Sequence, residues 1–288
     1  MAGAVLQKLK RWRHDPGSFF LRLIVWSAAC ITALALLFVI GYILVKGAPH
    51  LTPKLFSPQY TTENLSLLPA LINTLFMVAL SLLFAVPAGV GAAVYLTEYA
   101  GRGNRLAGLA AMTAETLAGL PSIVYGLFGS LFFVKFLKLG LSLLSGALTM
   151  SIMILPLIMR TAEEALQSVP DSYREGSFGL GAGRLRTIFG VVLPSAVPGI
   201  LSGVILGVGR VVGESAALIF TAGTVAQTAA SLFSSARTLS VHMYAISSNG
   251  LYLDQTYATA VLLLAAVILI NGLSGLAARK LGGEKTDG

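Results

Sequence analysis

The charges cut this chain into long apolar intervals, and those intervals decide what it can fold into. No Asp, Glu, Lys or Arg interrupts residues 23–45, 69–96, 116–134, 139–159 or 255–278. A helix needs about 20 mostly apolar residues to cross the hydrocarbon layer. A sixth interval, 191–219, is equally apolar but carries Arg210 and Glu214. Only 11% of the residues are charged and 56% are hydrophobic, whereas a soluble domain carries roughly 25% charged residues. A water-facing shell cannot be built from this inventory. The expectation is an all-α membrane protein with about six transmembrane helices.

The intervals divide the chain into a basic tail over 1–22, a first transmembrane helix over 23–45 and an outer loop over 46–68. A membrane core over 69–278 follows, with an inner loop at 160–190 and an outer loop at 220–254, and then a short tail over 279–288. A basic tail before an apolar run also describes a signal peptide. The run is longer than a signal h-region, and Lys46-Gly47-Ala48-Pro49 is a poor cleavage site, so an uncleaved anchor is expected.

Orientation follows from the placement of Lys and Arg. With the N-terminus inside, 14 of the 20 fall on inner segments and five on outer ones (Lys46, Lys54, Lys135, Lys138 and Arg237), leaving Arg210 within a span. Both termini are therefore expected in the cytoplasm. The formal charge of +8 needs no nucleic acid to explain it. Cys30 is the single cysteine, and His14, His50 and His242 are scattered, so neither a disulfide nor a metal site is expected.

The inner loop is the most informative stretch. Pro170 interrupts any helix continuing from the fourth span. Ser172-Tyr173-Arg174-Glu175 has the spacing of a capping box, and Gly179, Gly181 and Gly183 follow. A helix of about two turns, capped at both ends, is predicted at the inner surface. From Glu175 the chain reads Glu-Gly-Ser, three residues, Gly181, nine residues, Val191, one residue, Leu193-Pro194.

This spacing resembles the EAA motif of ABC-importer permeases: Glu-Ala-Ala, three residues, Gly, nine residues, Ile, one residue, Leu-Pro. Gly176 and Ser177 stand in place of Ala, and Val191 in place of Ile; all three replacements are small or isosteric. Three further segments, from Gly119-Leu120-Pro121-Ser122 to Gly126, from Arg160 to Pro170, and Gly209-Arg210-Val211-Val212-Gly213-Glu214, look like the A-type permease subunit of the phosphate-specific ABC importer. The resemblance runs from about Pro69 to the C-terminus.

It implies a type I ABC importer permease (MetI-like) fold in the bacterial inner membrane. In that family the inner helix fits a cleft on a cytoplasmic ATPase, which assigns coupling to Tyr173, Glu175, Gly176, Ser177 and Gly181. The implied partners are a homologous membrane subunit forming a heterodimer, two cytoplasmic ATPases that bind ATP and Mg, and a periplasmic phosphate-binding protein. The implied function is half of an ATP-driven phosphate pathway.

Inside the fifth span, Arg210 and Glu214 are four residues apart and so are expected on one helix face, within pairing reach. Gly199, Gly203 and Gly207 form a small-residue stripe that allows close helix approach and leads towards them. Intramembrane charge usually faces a bundle interior or a wet cavity. Two readings fit. The pair is a self-satisfied structural bridge, or Arg210 meets an anion on its route while Glu214 weakens the hold. Glu115 is expected at the start of the third span. Pro121 and Ser122 mark either a gate-forming break or a simple kink.

Gly282-Gly283-Glu284-Lys285-Thr286 lacks the spacing of a phosphate-binding loop, and no nucleophile–base constellation is visible. Neither an ATP site, another cofactor nor enzyme activity is expected on this chain. Alternatives to phosphate are sulfate, molybdate or another small anion. An ion-coupled secondary transporter is a more distant alternative, because no internal repeat is evident and Glu214 is the sole carboxylate deep in a span.

Overall fold

The computed structural model describes residues 16–100, 104–248 and 250–283. Lys8, Lys10, Arg11, Arg13, Arg102 and Lys285, which enter the charge asymmetry, lie outside them, as does His14. Among the described residues all regular structure is helical. In chain order the helices are α1 (Pro16–Gly47), α2 (Leu68–Val94), α3 (Arg105–Ala118), α4 (Ser122–Gly129), α5 (Leu143–Gln167), α6 (Asp171–Gly179), α7 (Arg184–Thr187), α8 (Leu193–Gly213), α9 (Ala216–Thr221), α10 (Leu239–Ser247) and α11 (Leu253–Gly283). Five-residue or longer π turns extend α2 through Tyr95–Tyr99 and α4 through Ser130–Phe136, and lead into α8 through Ile188–Val192.

Among the described residues five helices are long and apolar enough to cross a membrane, and the bent pair α3–α4 makes a sixth crossing if taken as one span. That pair replaces the single third span expected over 116–134, and the break or kink expected at Pro121 is a full break between two helices. The chain turns by 105° between the two helices. Pro121 lacks an N–H and disfavours helical backbone at Leu120, and it enters α4 as its N-cap at φ −60°, ψ 144°. The Tyr125 hydroxyl donates to the Leu117 carbonyl at 2.6 Å across the bend, so a backbone acceptor freed by the break is satisfied within the protein. Glu115 consequently sits in the last turn of α3, not at the start of a span. Its carboxylate faces Arg160 at 3.9 Å with both side chains exposed, a geometry worth about 1 kcal/mol at most.

The core lies where α2, α5 and α8 meet. Met77 and Ala85 pack with Met150, Ile154, Ile158, Val211 and Leu218. A second cluster, at the end of α5 that leads to α6, joins Ala93, Met159, Ala162, Leu166, Val192 and Ile200. The glycine stripe explains how α8 approaches α5 so closely. A Cβ at Gly199 would lie 2.5 Å from the Ala165 Cβ, and one at Gly203 would collide with Thr161. Gly207 has ordinary clearance, 3.7 Å to Ile158, so only two of the three glycines are demanded by packing.

α1 stands on the periphery. Its side chains are almost all exposed along an 18-residue window of mean hydropathy 2.6, as expected of a helix that faces lipid all round. It leans on α11 through Gly47 against the Tyr257 backbone and through an edge contact of Tyr42 with Tyr257 at 5.8 Å.

Candidate functional site

Two regions gather the functional candidates, one around α6 and one where α8 ends. Pro170 is the N-cap of α6, so the helix begins earlier than the predicted capping box. Ser172 falls within the first turn and no side chain caps the start. Asp171 supplies the acidic group there and takes a bond from Arg174 at 3.2 Å, which suits the positive end of the helix dipole. The C-terminal cap forms as expected. Gly181 has φ +83°, Ala182 N–H donates to Ser177 at 3.1 Å and Gly181 N–H to Phe178 at 2.9 Å. These are the paired bonds of a Schellman motif, which needs a residue in left-handed conformation at that position.

Tyr173, Glu175, Gly176 and Phe178 all lie exposed on α6, and Leu180 just beyond it is 91% exposed. A polar helix bearing such apolar side chains at one end of the molecule is suited to a protein partner. Ser177 points the other way, its hydroxyl 2.8 Å from that of Thr187 on α7.

Arg174 holds α6 to the bundle. Its guanidinium bonds Glu98 at 2.7 Å and 3.2 Å. It also donates to the carbonyls of Leu166 at 3.0 Å and Val169 at 2.8 Å. Glu98 is 9% exposed and Arg174 17%, so the pair is largely withdrawn from water. Arg184 adds a bond to the Glu98 carbonyl and lies over the Tyr99 ring at 4.9 Å. Removing one partner of such a pair would leave a buried charge at a cost of about 3–5 kcal/mol.

Where α8 ends, Arg210 occupies its last turn with an exposed side chain. A Cβ at neighbouring Gly209 would lie 3.8 Å from Asn271 of α11, and one at Gly207 would face Ile154 and Ile158 in the middle of α5. The expected face shared by Arg210 and Glu214 is not formed. α8 ends at Gly213, and Glu214 is extended at φ −77°, ψ 129°. Its carboxylate accepts the Ala217 N–H at 3.2 Å and its carbonyl accepts from Ser240. No Arg210–Glu214 ion pair occurs among the described residues. The glycine stripe also continues to buried Val211, while Arg210 turns off it. Sequence spacing assumed an unbroken helix; the backbone leaves the helix one residue too early.

The two breaks in the bundle lie together here. α4, which follows the Pro121 bend, packs on α9, which follows the Glu214 break: a Cβ at Gly126 would lie 2.8 Å from the Ala217 Cα. Ser122 opens α4 and is half-buried. The charge of Arg210 acts on the buried phenol of Tyr125 in the same helix. A cation next to two interrupted helices, with backbone polar groups released from helical bonding, can receive an anionic or polar solute.

Residues 85–282 match the family described as the inner membrane component of binding-protein-dependent transport systems. The chain belongs to this family. The permease is 34% identical over 277 residues to the probable ABC transporter permease protein YqgI of Bacillus subtilis, spanning 88% of this chain and 91% of that protein. It is 34% identical to the phosphate transport system permease protein PstA of Haemophilus influenzae, across 73% of this chain and 74% of that protein. Among solved structures it is similar to a bacterial alginate ABC transporter in complex with an alginate-bound periplasmic protein, with TM-score 0.68 and 14% identity over 94% and 98% of the two chains. The MetNI methionine ABC transporter in inward-facing form gives TM-score 0.56 at 19% identity, over 74% and 93%. These structures share the fold of the permease, which is an importer's transport subunit.

Sequence reasoning missed Glu98, Arg184 and Tyr125. Glu98 follows directly on the second apolar interval and reads as the edge of a span. Arg174 lies inside the predicted capping box, yet its partner is 76 residues away, and spacing along the permease carries no signal for such a pair.

Proposed function

We propose that this permease forms half of the membrane pathway of an ATP-driven importer for inorganic phosphate in the bacterial inner membrane. The carrying observation is Arg210, a guanidinium in the last turn of α8 beside two helix breaks, in a chain whose relatives include named phosphate permeases. A guanidinium offers bidentate bonds to phosphate. Passage requires that the hold be weak enough for release, and Glu214, committed to the start of α9, leaves that moderation to the surrounding hydration. α6 and its exposed apolar residues fit a cytoplasmic ATPase, and the outer loops fit an extracytoplasmic binding protein. A homologous membrane subunit would complete the pathway, and ATP with Mg would bind on two ATPase subunits. ATP-driven closure of those subunits would shift the bundle between inward-open and outward-open packings.

The same cation serves sulfate or molybdate, so the test is solute-resolved. Radiolabelled phosphate uptake in a strain deleted for this permease is expected to be restored by the wild type. Restoration should survive excess sulfate and molybdate, and should fail with Arg210→Ala although the complex assembles. Normal uptake by an assembled Arg210→Ala complex would remove Arg210 from the pathway, and competition by sulfate would change the solute.

A further inference from the structure

The bonds at the two ends of α2 and α5 place a transmission line between the inner docking helix and the outer loop. Along their length the two helices are joined at three levels. A Cβ at Gly146 would meet Met77 at 2.8 Å, Ser151 Oγ donates to the Ser81 carbonyl at 3.0 Å, and Gly89 lies against Ile158 and the Met159 backbone at 3.0–3.3 Å from a built Cβ. Helices fastened at both ends and the middle move as one body, because close-packed interiors switch between arrangements rather than deform smoothly.

At the inner end, Arg174 bonds α6 to both members at once. It reaches Glu98 beyond α2 and the Leu166 and Val169 carbonyls at and beyond the end of α5. At the outer end, fully buried Asn73 of α2 holds the loop between α9 and α10 by three bonds. Its amide donates to the Gln227 and Arg237 carbonyls at 3.0 and 3.2 Å, and its oxygen accepts the Ala229 N–H at 2.9 Å. Thr74 accepts the Leu239 N–H at 2.9 Å. The first turn of α5 binds the same loop, through Leu143 N–H to Ser234 and Leu144 N–H to Leu232, both 2.9 Å.

The geometry points to Glu98 and Asn73 as positioning residues at opposite ends of one rigid α2–α5 rod that carries displacement of α6 to the outer loop. Neither touches solute. This rests on the reading of α6 as the ATPase-docking helix. A sequence span of 25 positions separates the two residues along α2 and its π extension, about 37 Å at the helical rise.

The test uses the complete complex in proteoliposomes and measures solute moved per ATP hydrolysed, a ratio that loss of folded protein does not change. Glu98→Gln and Asn73→Ala are each expected to lower the ratio by about tenfold, the scale of a typical coupling between sites. Glu98→Asp is expected to retain part of it. The double variant should be no worse than either single one, since both interrupt the same line.

Spin labels at exposed Leu75 and Ser231, in a Cys30→Ser background, should keep a fixed separation through the nucleotide cycle in otherwise wild-type protein. This readout does not depend on either variant folding. An unchanged ratio in either single variant, an additive double variant, or a Leu75–Ser231 distance that changes with nucleotide overturns the rod. A wild-type permease that retains no ATPase overturns the docking reading itself, and the rod with it.

Discussion

Single side chains carry most of their information through what surrounds them, and His242 shows this best. It is fully buried on α10, neither ring nitrogen has a hydrogen-bond partner, and Tyr60 meets it edge-on at 6.0 Å. Burial first, and the nearby Arg237 charge second, hold its imidazole down to about 4. An unfolded chain would protonate it near 6.5, so between those values the unfolded state binds more protons. Stability is therefore complete above pH 6.5 and falls as pH drops towards 4, by about 3 kcal/mol. Thermal unfolding of the purified protein should show this decline, and His242→Leu should flatten it; an unchanged slope would mean the native imidazole already carries its proton. In the sequence His242 was one of three scattered histidines, because burial and a distant arginine are tertiary facts. Arg210 and Glu214 make the complementary case. Their charges inside a span were legible, but their relation was not, since it depended on whether α8 continued for one more residue.

At the level of elements, apolar length and proline did most of the specifying. Pro170 separated α5 from α6. The cap at Gly181 was legible because a left-handed residue closing a short helix favours glycine. Gly181→Val should cost about 1–2 kcal/mol at that position and loosen the end of α6. ATPase retention on affinity-purified complex should fall while the permease still reaches the membrane; full retention would show that the cap does not shape the docking surface. The start of α6 was misjudged because two devices compete there. A Ser–Glu box fits the spacing, yet Pro170 and the Asp171–Arg174 contact begin the helix sooner. The α3–α4 bend was half legible: Pro121 marked a break or a kink, but hydropathy counts apolar residues and ignores the direction in which the chain leaves Gly119-Leu120-Pro121.

For the whole molecule, the charge asymmetry predicts that α6 and the outer loop lie on opposite sides of the membrane. A cysteine placed at Tyr173 in a Cys30→Ser background should resist an impermeant thiol reagent in intact cells and react in inverted vesicles, whereas one at Ser231 should do the reverse. Labelling of both from the same side would refute the topology and the docking role of α6 together. The sequence by itself determined the solvent of this protein, the number of apolar runs and the family motif, because these depend on composition and short spacing, which survive without a fold. Only the tertiary structure decided that Arg174 meets Glu98, that Asn73 ties down a loop more than 150 residues away, and that the breaks at Pro121 and Glu214 lie beside one another. Those outcomes depend on which helices pack together, a choice made by steric fit: the stripe at Gly199 and Gly203 announces a close approach, but not that Ala165 and Thr161 of α5 are what it meets.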